Sequence, residues 1–310
     1  MVQSKKQLVF ILLGATAVGK TDVSLKLAEE CNFQIISADS MQVYRHLDIG
    51  TAKPTQKDIL KIKHHMIDIV DPDEEYNVAD YYHEATGILQ RLSAEGQMIL
   101  VVGGAGMYLK RLLEGVFRGP GSDLGVRRHL QKEARDIGNA AMHDKLKQVD
   151  SKAAGRIHPN NIRRVIRALE VYELTGQALS ELQESQPEPE DFRFVKIGLQ
   201  LSKTKLYERI AQRTDDMFER GFIEEVRWVQ DRFCLTDTIR KSIGYRDVLR
   251  YIEKLQDLEY TKDAIKKATR LLVKKQLTWF GNNDSIHWFC SDQNPSREIF
   301  KFIKQEYSRD

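Results

Sequence analysis

Short apolar runs alternate with longer, charged stretches over the N-terminal third of the chain. Residues 8–13, 34–37 and 98–102 form such runs, and each ends in glycine or small polar residues, which is typical of buried parallel strands. The segments between them carry apolar positions at helical spacing. We therefore predict an α/β fold with an open parallel sheet flanked by helices, in which ligands bind at the carboxyl ends of the strands.

The pattern changes in the middle of the chain. Residues 121–194 are rich in Arg, Lys, Glu and other helix formers, contain no convincing strand, and close with an acidic, proline-bearing linker at 184–191. Alternation at 192–201 predicts a return to the sheet, and a last strand is expected around 286–289. The predicted domains are a catalytic core of residues 1–120 and 195–310 and an all-helical insertion domain of residues 121–194.

The first apolar run leads directly into a phosphate-binding loop. Residues 14–21 read Gly-Ala-Thr-Ala-Val-Gly-Lys-Thr, a complete G-x-x-x-x-G-K-[ST] motif between a predicted strand and a predicted helix. Its glycines let backbone N–H groups converge on phosphate oxygens, Lys20 supplies a charge, and Thr21 can ligate Mg²⁺. The sheet is therefore expected to be P-loop NTPase-like, with a di- or triphosphate bound by Gly14, Thr16, Ala17, Val18, Gly19, Lys20 and Thr21.

Polar residues follow the other two apolar runs. Asp39 comes just after the second run, where a carboxylate could orient an acceptor, hold Mg²⁺ through water, accept the proton of a nucleophile, or simply cap a turn. Gln42 could present a donor and an acceptor to the edge of an adenine. A glycine-rich turn at 103–108 follows the third run and permits close approach to a ligand. The polar turn at 48–54 could present Thr51 and Lys53, although a simple loop explains it equally well.

Composition leaves nucleic-acid binding to local clusters of charge. The chain has 310 residues, 41% of them hydrophobic, which suffices for a sizeable core, but its formal net charge is only +3. Basic residues concentrate in two clusters, Arg156, His158, Arg163, Arg164 and Arg167 in the insertion and Lys266, Lys267, Arg270, Lys274 and Lys275 near the end. Such clusters can bind phosphates, although solvated helix faces are the commoner explanation.

Cysteine and histidine positions argue against a disulfide framework or a zinc site. The three cysteines are odd in number and widely separated, and the adjacent His64 and His65 diverge on either a helix or a strand. No signal peptide or membrane anchor is visible in the sequence. A cytoplasmic protein is therefore expected. Nothing in the sequence suggests an obligate protein partner, so a monomer is expected.

Five motifs together resemble the tRNA dimethylallyltransferases of the bacterial type. They are the phosphate loop, Ser-Ala-Asp-Ser-Met-Gln-Val-Tyr at 37–44, Asp-Ile-Gly-Thr-Ala-Lys-Pro at 48–54, the glycine-rich turn at 103–108 and Arg-Ala-Leu-Glu-Val-Tyr at 167–172. The likeness covers nearly the whole chain, continuing through 243–245 and 275–279. It implies transfer of a dimethylallyl group from dimethylallyl diphosphate to N6 of the adenosine immediately 3′ of the anticodon, in tRNAs that read codons starting with U.

The resemblance also implies roles for particular residues. The phosphate loop would bind the diphosphate leaving group with Mg²⁺ on Thr21 and with help from Arg213, while Asp39 would accept the proton of the attacking amine. The insertion would hold the anticodon stem-loop. Contacts with tRNA would come from Asp39, Ser40, Met41, Gln42, Ala105, Arg127, Arg163, Arg164, Val165, Ile166, Arg167, Lys241 and Arg246.

The chain departs from the family pattern at one position of the glycine-rich turn. The family usually has Thr there, with its hydroxyl near the catalytic carboxylate, whereas this sequence has Ala105. Loss of one hydrogen bond, worth about 0.5–1.5 kcal/mol, predicts a slower enzyme or a compensating water, and not an inactive enzyme.

Three other functions share parts of this pattern. A transferase that modifies free adenine nucleotides would need the loop and Asp39 but no RNA-binding insertion. A small-molecule or nucleotide kinase would need ATP in the loop and a lid with arginines. An RNA-binding protein with a relic phosphate site is favoured only by Ala105.

Overall fold

A six-stranded parallel sheet forms the centre of the larger of two structural units. The computed structural model describes residues 6–115, 120–121, 123–184, 192–281 and 285–309. The larger unit comprises residues 1–114 and 189–310, and the smaller unit comprises residues 115–188. The strands are β1 Gln7–Gly14, β2 Phe33–Ala38, β3 His64–His65, β4 Met98–Gly103, β5 Phe192–Gln200 and β6 Ile286–Cys290.

The strands lie in the order β3-β2-β4-β1-β5-β6, and every neighbouring pair is parallel. The predicted open parallel sheet is thereby confirmed, together with the expected last strand. The two-residue edge strand β3 has no apolar run of its own and was not anticipated. It is placed by its pairing with β2, where Ile36 lies opposite His65.

Fourteen helices occupy the described part of the chain. In chain order they are α1 Lys20–Cys31, α2 Gln56–Lys61, α3 Val78–Ala94, α4 Gly106–Glu114, α5 Leu124–Val149, α6 Ser151–Arg156, α7 Ile162–Thr175, α8 Leu179–Glu184, α9 Lys203–Glu219, α10 Phe222–Arg232, α11 Asp237–Arg240, α12 Tyr245–Ile252, α13 Leu258–Gly281 and α14 Ser296–Arg309. Of these helices, α5 to α8 belong to the smaller unit. No described helix combines the length and the apolar character that a membrane span requires.

The sheet is covered by helices on both faces. On one face α3, α4, α10 and α12 contribute to a core that contains Tyr81, Leu109 and Val226. On the other face α1, α9 and α14 contribute to a core that contains Leu27 and Ile210. Because both faces are covered, β1 is buried along almost its whole length, which explains its unbroken apolar run.

The carboxyl ends of the three central strands meet at one edge of the sheet. Gly14 at the end of β1 lies in register with Leu199, and Ala38 at the end of β2 lies beside Gly103 at the end of β4. The approach is close at Gly103, where an added Cβ would lie 2.1 Å from the Ala38 carbonyl oxygen. The three motifs that follow these strands are therefore brought together, as expected for a parallel sheet.

The described residues of the smaller unit form helices and connecting loops without a strand, and they have a core of their own. Leu130 and Met142 of α5 pack with Val165 and Leu169 of α7. Helix α5 is interrupted at Gly138, whose φ of 84° is readily adopted only by glycine. Asp150 caps α6 by accepting from the Ala153 N–H at 2.8 Å and also accepts from the Ser180 N–H at 2.8 Å.

The boundary between the units differs from the sequence-based division at its C-terminal side. Residues 192–194 were assigned to the insertion, but they form the start of β5 and pair with residues 7–9 of β1. The apolar residues Phe192 and Phe194 pack in or against the core of the sheet, which explains the placement. Most of the predicted linker, residues 185–191, lies outside the described residues.

Candidate active site

The phosphate-binding loop connects the end of β1 to the start of α1. Ala17 and Gly19 have φ values of 64° and 100°, so the loop turns through left-handed conformations before α1 begins at Lys20. The Lys20 ammonium donates to the Gly14 and Ala15 carbonyl oxygens at 2.8 and 2.9 Å. Burial lowers the pKa of Lys20 to about 8, against the opposing attraction of Asp39. The loop thus holds its lysine in an environment where an anion would restore the charged form.

Two arginines of α9 reach the same loop. Arg213 Nη2 donates to the Thr16 hydroxyl at 3.0 Å, and burial lowers the pKa of its guanidinium while Asp39 acts in the opposite direction. Arg209, one helical turn earlier, donates to the Val18 carbonyl oxygen at 3.2 Å. The resemblance pointed to Arg213. The spacing of four residues between the two arginines was the available signal for Arg209.

Gln276 of α13 joins the phosphate loop to the glycine-rich turn. Its Oε1 accepts from the Thr16 N–H at 2.9 Å, and its Nε2 donates to the Gly104 carbonyl oxygen at 2.9 Å. An added Cβ on Gly104 would lie 2.7 Å from that Nε2 and 3.1 Å from the Gly14 carbonyl oxygen, so the two segments are tightly apposed. Sequence reasoning did not identify Gln276 because its partners are distant in the chain.

Asp39 follows β2, and the structure shows one of the roles considered for it. Its Oδ1 accepts from the Met41 N–H at 2.9 Å and, at 3.4 Å, from the Gln42 N–H, so it caps a turn. Its negative charge also acts to raise the pKa of Lys20 and of Arg213, whereas burial lowers both. Among the described residues no hydrogen bond engages Oδ2, so this oxygen is free to accept a proton.

The Gln42 side chain is held at both ends of its amide. Oε1 accepts from the Ser37 hydroxyl at 3.0 Å, and Nε2 donates to the Thr51 carbonyl oxygen at 3.4 Å. Lys53, in the same turn as Thr51, is only 3% exposed and pairs with Asp48 and Asp68. Of the two roles considered for the 48–54 turn, the structure therefore gives Lys53 the structural one.

A cavity of about 400 Å³ opens at the carboxyl edge of the sheet. It collects many of the residues selected from the sequence, namely Thr16, Asp39, Ser40, Met41, Ala105, Arg213 and Lys241. Met217, Phe222 and Ile265 give it an apolar wall. The Ala105 N–H donates to the Ala38 carbonyl oxygen at 3.2 Å, and Ala105 itself lines the cavity. One compartment thus combines cationic, carboxylate and apolar surfaces.

A smaller cavity, of about 60 Å³, lies beside Lys20 and is lined by Thr21 and Asp39 among others. The described residues contain no group of three or more His, Cys, Asp or Glu side chains that could hold a metal ion. Mg²⁺ needs no such cage, because it is usually bound through one or two carboxylates, phosphate oxygens and its own waters. A hydroxyl at Thr21 and a carboxylate at Asp39 on one cavity therefore fit Mg²⁺ accompanied by a diphosphate.

In the smaller unit a buried carboxylate organises the arginines around it. Glu170 is fully buried and accepts from Arg127 at 2.9 Å and from Arg167 at 2.8 Å. Burial alone would raise the pKa of Glu170, but the two guanidiniums lower it and the net shift is downward. Arg127 and Arg167 therefore have a structural partner, and the fixed i, i+3 spacing of Arg167 and Glu170 was a signal for it.

The remaining residues of the 163–167 segment divide into two groups. Arg163 and Arg164 are exposed and line a surface cavity of about 520 Å³. Val165 and Ile166 are 0% and 6% exposed and belong to the core of this unit. Within the described part of this segment, only Arg163 and Arg164 can extend towards a ligand without breaking a hydrogen bond or an ion pair.

Two further basic residues named from the sequence lie in the larger unit and carry ion pairs. Lys241 pairs with Asp237 at 2.5 Å on the surface, and Arg246 pairs with the buried Asp247 at 3.0 Å. In the second basic cluster, Lys266 pairs with Asp215 at 2.7 Å. Lys241, Arg246 and Lys266 therefore each have an acidic partner on the protein.

Comparisons with known proteins give one consistent family. The chain matches the family model described as IPP transferase over residues 42–283. It is 43% identical over 301 residues to tRNA dimethylallyltransferase 2 of Syntrophus aciditrophicus (strain SB), with 96% of each chain covered. It is 40% identical over 303 residues to a tRNA dimethylallyltransferase of Halothermothrix orenii, with 97% of this chain and 92% of that protein covered.

Solved structures extend the likeness to the fold. The full-length tRNA isopentenylpyrophosphate transferase of Bacillus halodurans matches with a TM-score of 0.73 and 38% identity, covering 98% of both chains. A eukaryotic dimethylallyltransferase acting on tRNA matches with a TM-score of 0.82 and 26% identity, covering 98% of this chain and 80% of that one. The similarity in sequence and in structure therefore covers nearly the whole chain.

We expect binding of an alkyl diphosphate to weaken as Lys20 loses its proton. Its pKa of about 8 in the protein should rise when an anion binds, so binding takes up a proton above that pH. Affinity should stay nearly level below pH 8 and fall by up to about tenfold per pH unit above it. Calorimetric titrations from about pH 7 to 9.5 would measure the slope.

Lys20→Met is the matched variant for this pH profile. It should bind the diphosphate more weakly at neutral pH and show a flat profile, because it has no proton to lose. A decline above pH 8 that persists in Lys20→Met would assign the titration to another group.

Proposed function

We propose how this chain, which belongs to the IPP transferase family and is a tRNA dimethylallyltransferase, carries out its reaction. The dimethylallyl group passes from its diphosphate to N6 of the adenosine immediately 3′ of the anticodon, in tRNAs that read codons starting with U. The observation that carries this proposal is the meeting of Thr16, Arg213 and Asp39 on one cavity with an apolar wall. Such a cavity can hold a leaving group, a short alkyl chain and a nucleophile together.

The phosphate half of the cavity stabilises the leaving group. As the C–O bond breaks, negative charge builds on the diphosphate, and the Lys20 ammonium and the Arg213 guanidinium lie beside the loop to receive it. Thr21 would hold Mg²⁺ with the diphosphate, and the ion would supply further positive charge there. Electrostatic stabilisation of this kind is the main task, because an aromatic amine is a weak nucleophile.

The acceptor half of the cavity handles the proton. Asp39 Oδ2 accepts a proton from N6 as the new C–N bond forms, while Oδ1 keeps the turn at Met41 in place. The adenosine must leave the stack of the anticodon loop to reach this position, which costs less in a loop than in a duplex. Met217, Phe222 and Ile265 would enclose the five-carbon chain.

RNA binding is proposed for the exposed basic residues. In the smaller unit Arg163 and Arg164 would bind phosphates of the anticodon stem-loop, while Lys241 of the larger unit lines the cavity that takes the base. Arg127 and Arg167 would support this surface through Glu170.

A reducing, cytoplasmic setting is proposed because all three cysteines are free thiols.

The direct test is transfer of label from dimethylallyl diphosphate to an unmodified tRNA in the presence of Mg²⁺. Label on the tRNA and none on AMP is the expected result. Label on AMP alone would indicate a free-nucleotide enzyme, and label on neither would contradict the proposal.

Asp39→Asn should abolish transfer without displacing the turn. Asparagine keeps the Oδ1 acceptor for the Met41 N–H but cannot accept the amine proton. We expect turnover to fall by at least about 10²-fold, with affinity for dimethylallyl diphosphate nearly unchanged, measured by single-turnover transfer and by calorimetry. Wild-type turnover in Asp39→Asn would remove this residue from proton transfer.

Ala105→Thr should accelerate the reaction. It restores a hydroxyl beside the cavity that contains Asp39, and one added hydrogen bond of about 0.5–1.5 kcal/mol corresponds to a gain of about 2- to 10-fold in turnover. Ala105→Val has nearly the same shape without the hydroxyl and is expected to give no gain. Equal turnover in both variants would mean that the hydroxyl has no role in this enzyme.

Replacing both Arg163 and Arg164 by alanine should weaken tRNA binding and reduce its dependence on salt. Loss of two phosphate contacts is expected to lower the slope of log affinity against log salt by about one to two. The control pair is Lys132→Ala with Arg135→Ala, which removes the same charge from exposed positions of α5 outside the arginine cavity. Equal slopes in the two double variants would assign Arg163 and Arg164 no specific contact.

A further inference from the structure

We propose that Glu225 is a positioning residue for the acceptor half of the active site. Its carboxylate fixes the 48–52 loop, which forms one wall of the cavity, and through Thr51 it fixes the direction in which the Gln42 amide points. This inference rests on the proposed function, because it concerns the wall against which the adenosine would bind. Glu225 itself does not line the cavity and acts through the loop.

One carboxylate collects three consecutive backbone donors. Glu225 Oε2 accepts from the N–H groups of Asp48 and Ile49 at 2.9 and 2.6 Å, and Oε1 accepts from the N–H of Gly50 at 3.1 Å. Hydrogen bonds to an ionised acceptor are roughly twice as strong as those between neutral groups. Three such bonds to successive residues fix both the position and the direction of the loop.

The same carboxylate also ties the loop to another wall of the cavity. The Tyr245 hydroxyl donates to Glu225 Oε1 at 2.7 Å, and Tyr245 is itself buried and lines the cavity. Burial, and next the charge of Glu225, raise the pKa of Tyr245, so this hydroxyl remains a donor. Glu225 thus joins α10, the start of α12 and the 48–52 loop at one point.

The loop is pressed closely against aromatic side chains. An added Cβ on Gly50 would lie 2.3 Å from a Phe222 ring carbon and 2.7 Å from a Tyr245 ring carbon. Phe222 and Tyr245 contact each other edge to face, with ring centroids 5.2 Å apart. The loop therefore has no space to move towards the rings, and Glu225 opposes movement away from them.

Gly50, Thr51 and Ala52 line the cavity, and the neighbouring Lys53 donates to the Tyr44 carbonyl oxygen. The Thr51 carbonyl oxygen accepts from Gln42 Nε2, and the Ser37 hydroxyl occupies the other end of the amide. Displacing the loop would release Nε2 and let the amide rotate. A released amide would lose the orientation that its hydrogen bonds with Ser37 and Thr51 impose.

The phosphate half of the site has separate anchors. The phosphate loop is held by Arg213, Arg209 and Gln276, and within the described structure none of these side chains forms a hydrogen bond with Glu225 or the 48–52 loop. Loss of the Glu225 carboxylate should therefore affect the tRNA substrate and leave the diphosphate substrate alone. A merely structural role would lower stability and affect both substrates together.

The test compares Glu225→Gln with Glu224→Gln, its exposed neighbour on the same helix. In Glu225→Gln an amide N–H faces backbone donors, so the loop loses part of its anchor. We expect kcat/KM for tRNA to fall by about 10- to 100-fold, with KM for dimethylallyl diphosphate and Kd for inorganic diphosphate within about twofold of wild type. Glu224→Gln should match wild type in all three.

A double-mutant cycle with Gln42→Ala tests the connection through Thr51. If Glu225 acts through the amide of Gln42, Glu225→Gln should cause a much smaller further loss when Gln42 is already alanine. Fully additive losses would overturn this connection. Gly50→Ala keeps the Glu225 carboxylate but places a Cβ against the Phe222 and Tyr245 rings and so displaces the loop, and it should reproduce the selective loss for tRNA.

The outcomes separate this inference from the proposed function. Absence of tRNA labelling by the wild-type protein would contradict the function itself. Labelling by wild type with equal kinetics in Glu225→Gln and Glu224→Gln would overturn the positioning role. A lowered melting temperature together with equal losses for both substrates would also overturn it, since that result describes a structural residue.

Discussion

The site depends on one constraint. Two partly buried cations, Lys20 and Arg213, lie at the carboxyl edge of a parallel sheet. A cation removed from water is costly unless oxygen atoms surround it. Here the Gly14 and Ala15 carbonyls, the Thr16 hydroxyl and the nearby Asp39 carboxylate supply them. The same arrangement favours a ligand with concentrated negative charge, and the carboxylate that balances the cations is also the base that the reaction needs.

The sequence was informative where function depends on short-range pattern. The phosphate loop, the strand that ends before Asp39 and the glycine-rich turn could each be located, because buried parallel strands leave apolar runs and their carboxyl ends share one edge. The edge strand at His64 was missed because it is two residues long and has no pattern of its own. Its place in the sheet is set by its pairing with β2.

Residues whose partners are distant in the chain could not be found in the same way. Gln276 meets the phosphate loop across 260 residues, and Glu225 meets the 48–50 loop across about 175. No local spacing records such contacts. Within one helix, residue spacing does carry structural information. Val165 and Ile166 fall on the inward face of α7, and Arg167 lies one turn from Glu170.

The position of α9 and α13 in the chain has a consequence for synthesis. The phosphate loop is complete by residue 21, but Arg213 and Gln276, which hold it, follow only after the helical insertion. A nascent chain that carries the whole loop motif therefore still lacks the side chains that shape it for a diphosphate. A diphosphate site with all of these contacts can therefore form only after Gln276 has been synthesised, so the last part of its scaffold to be translated is helix α13.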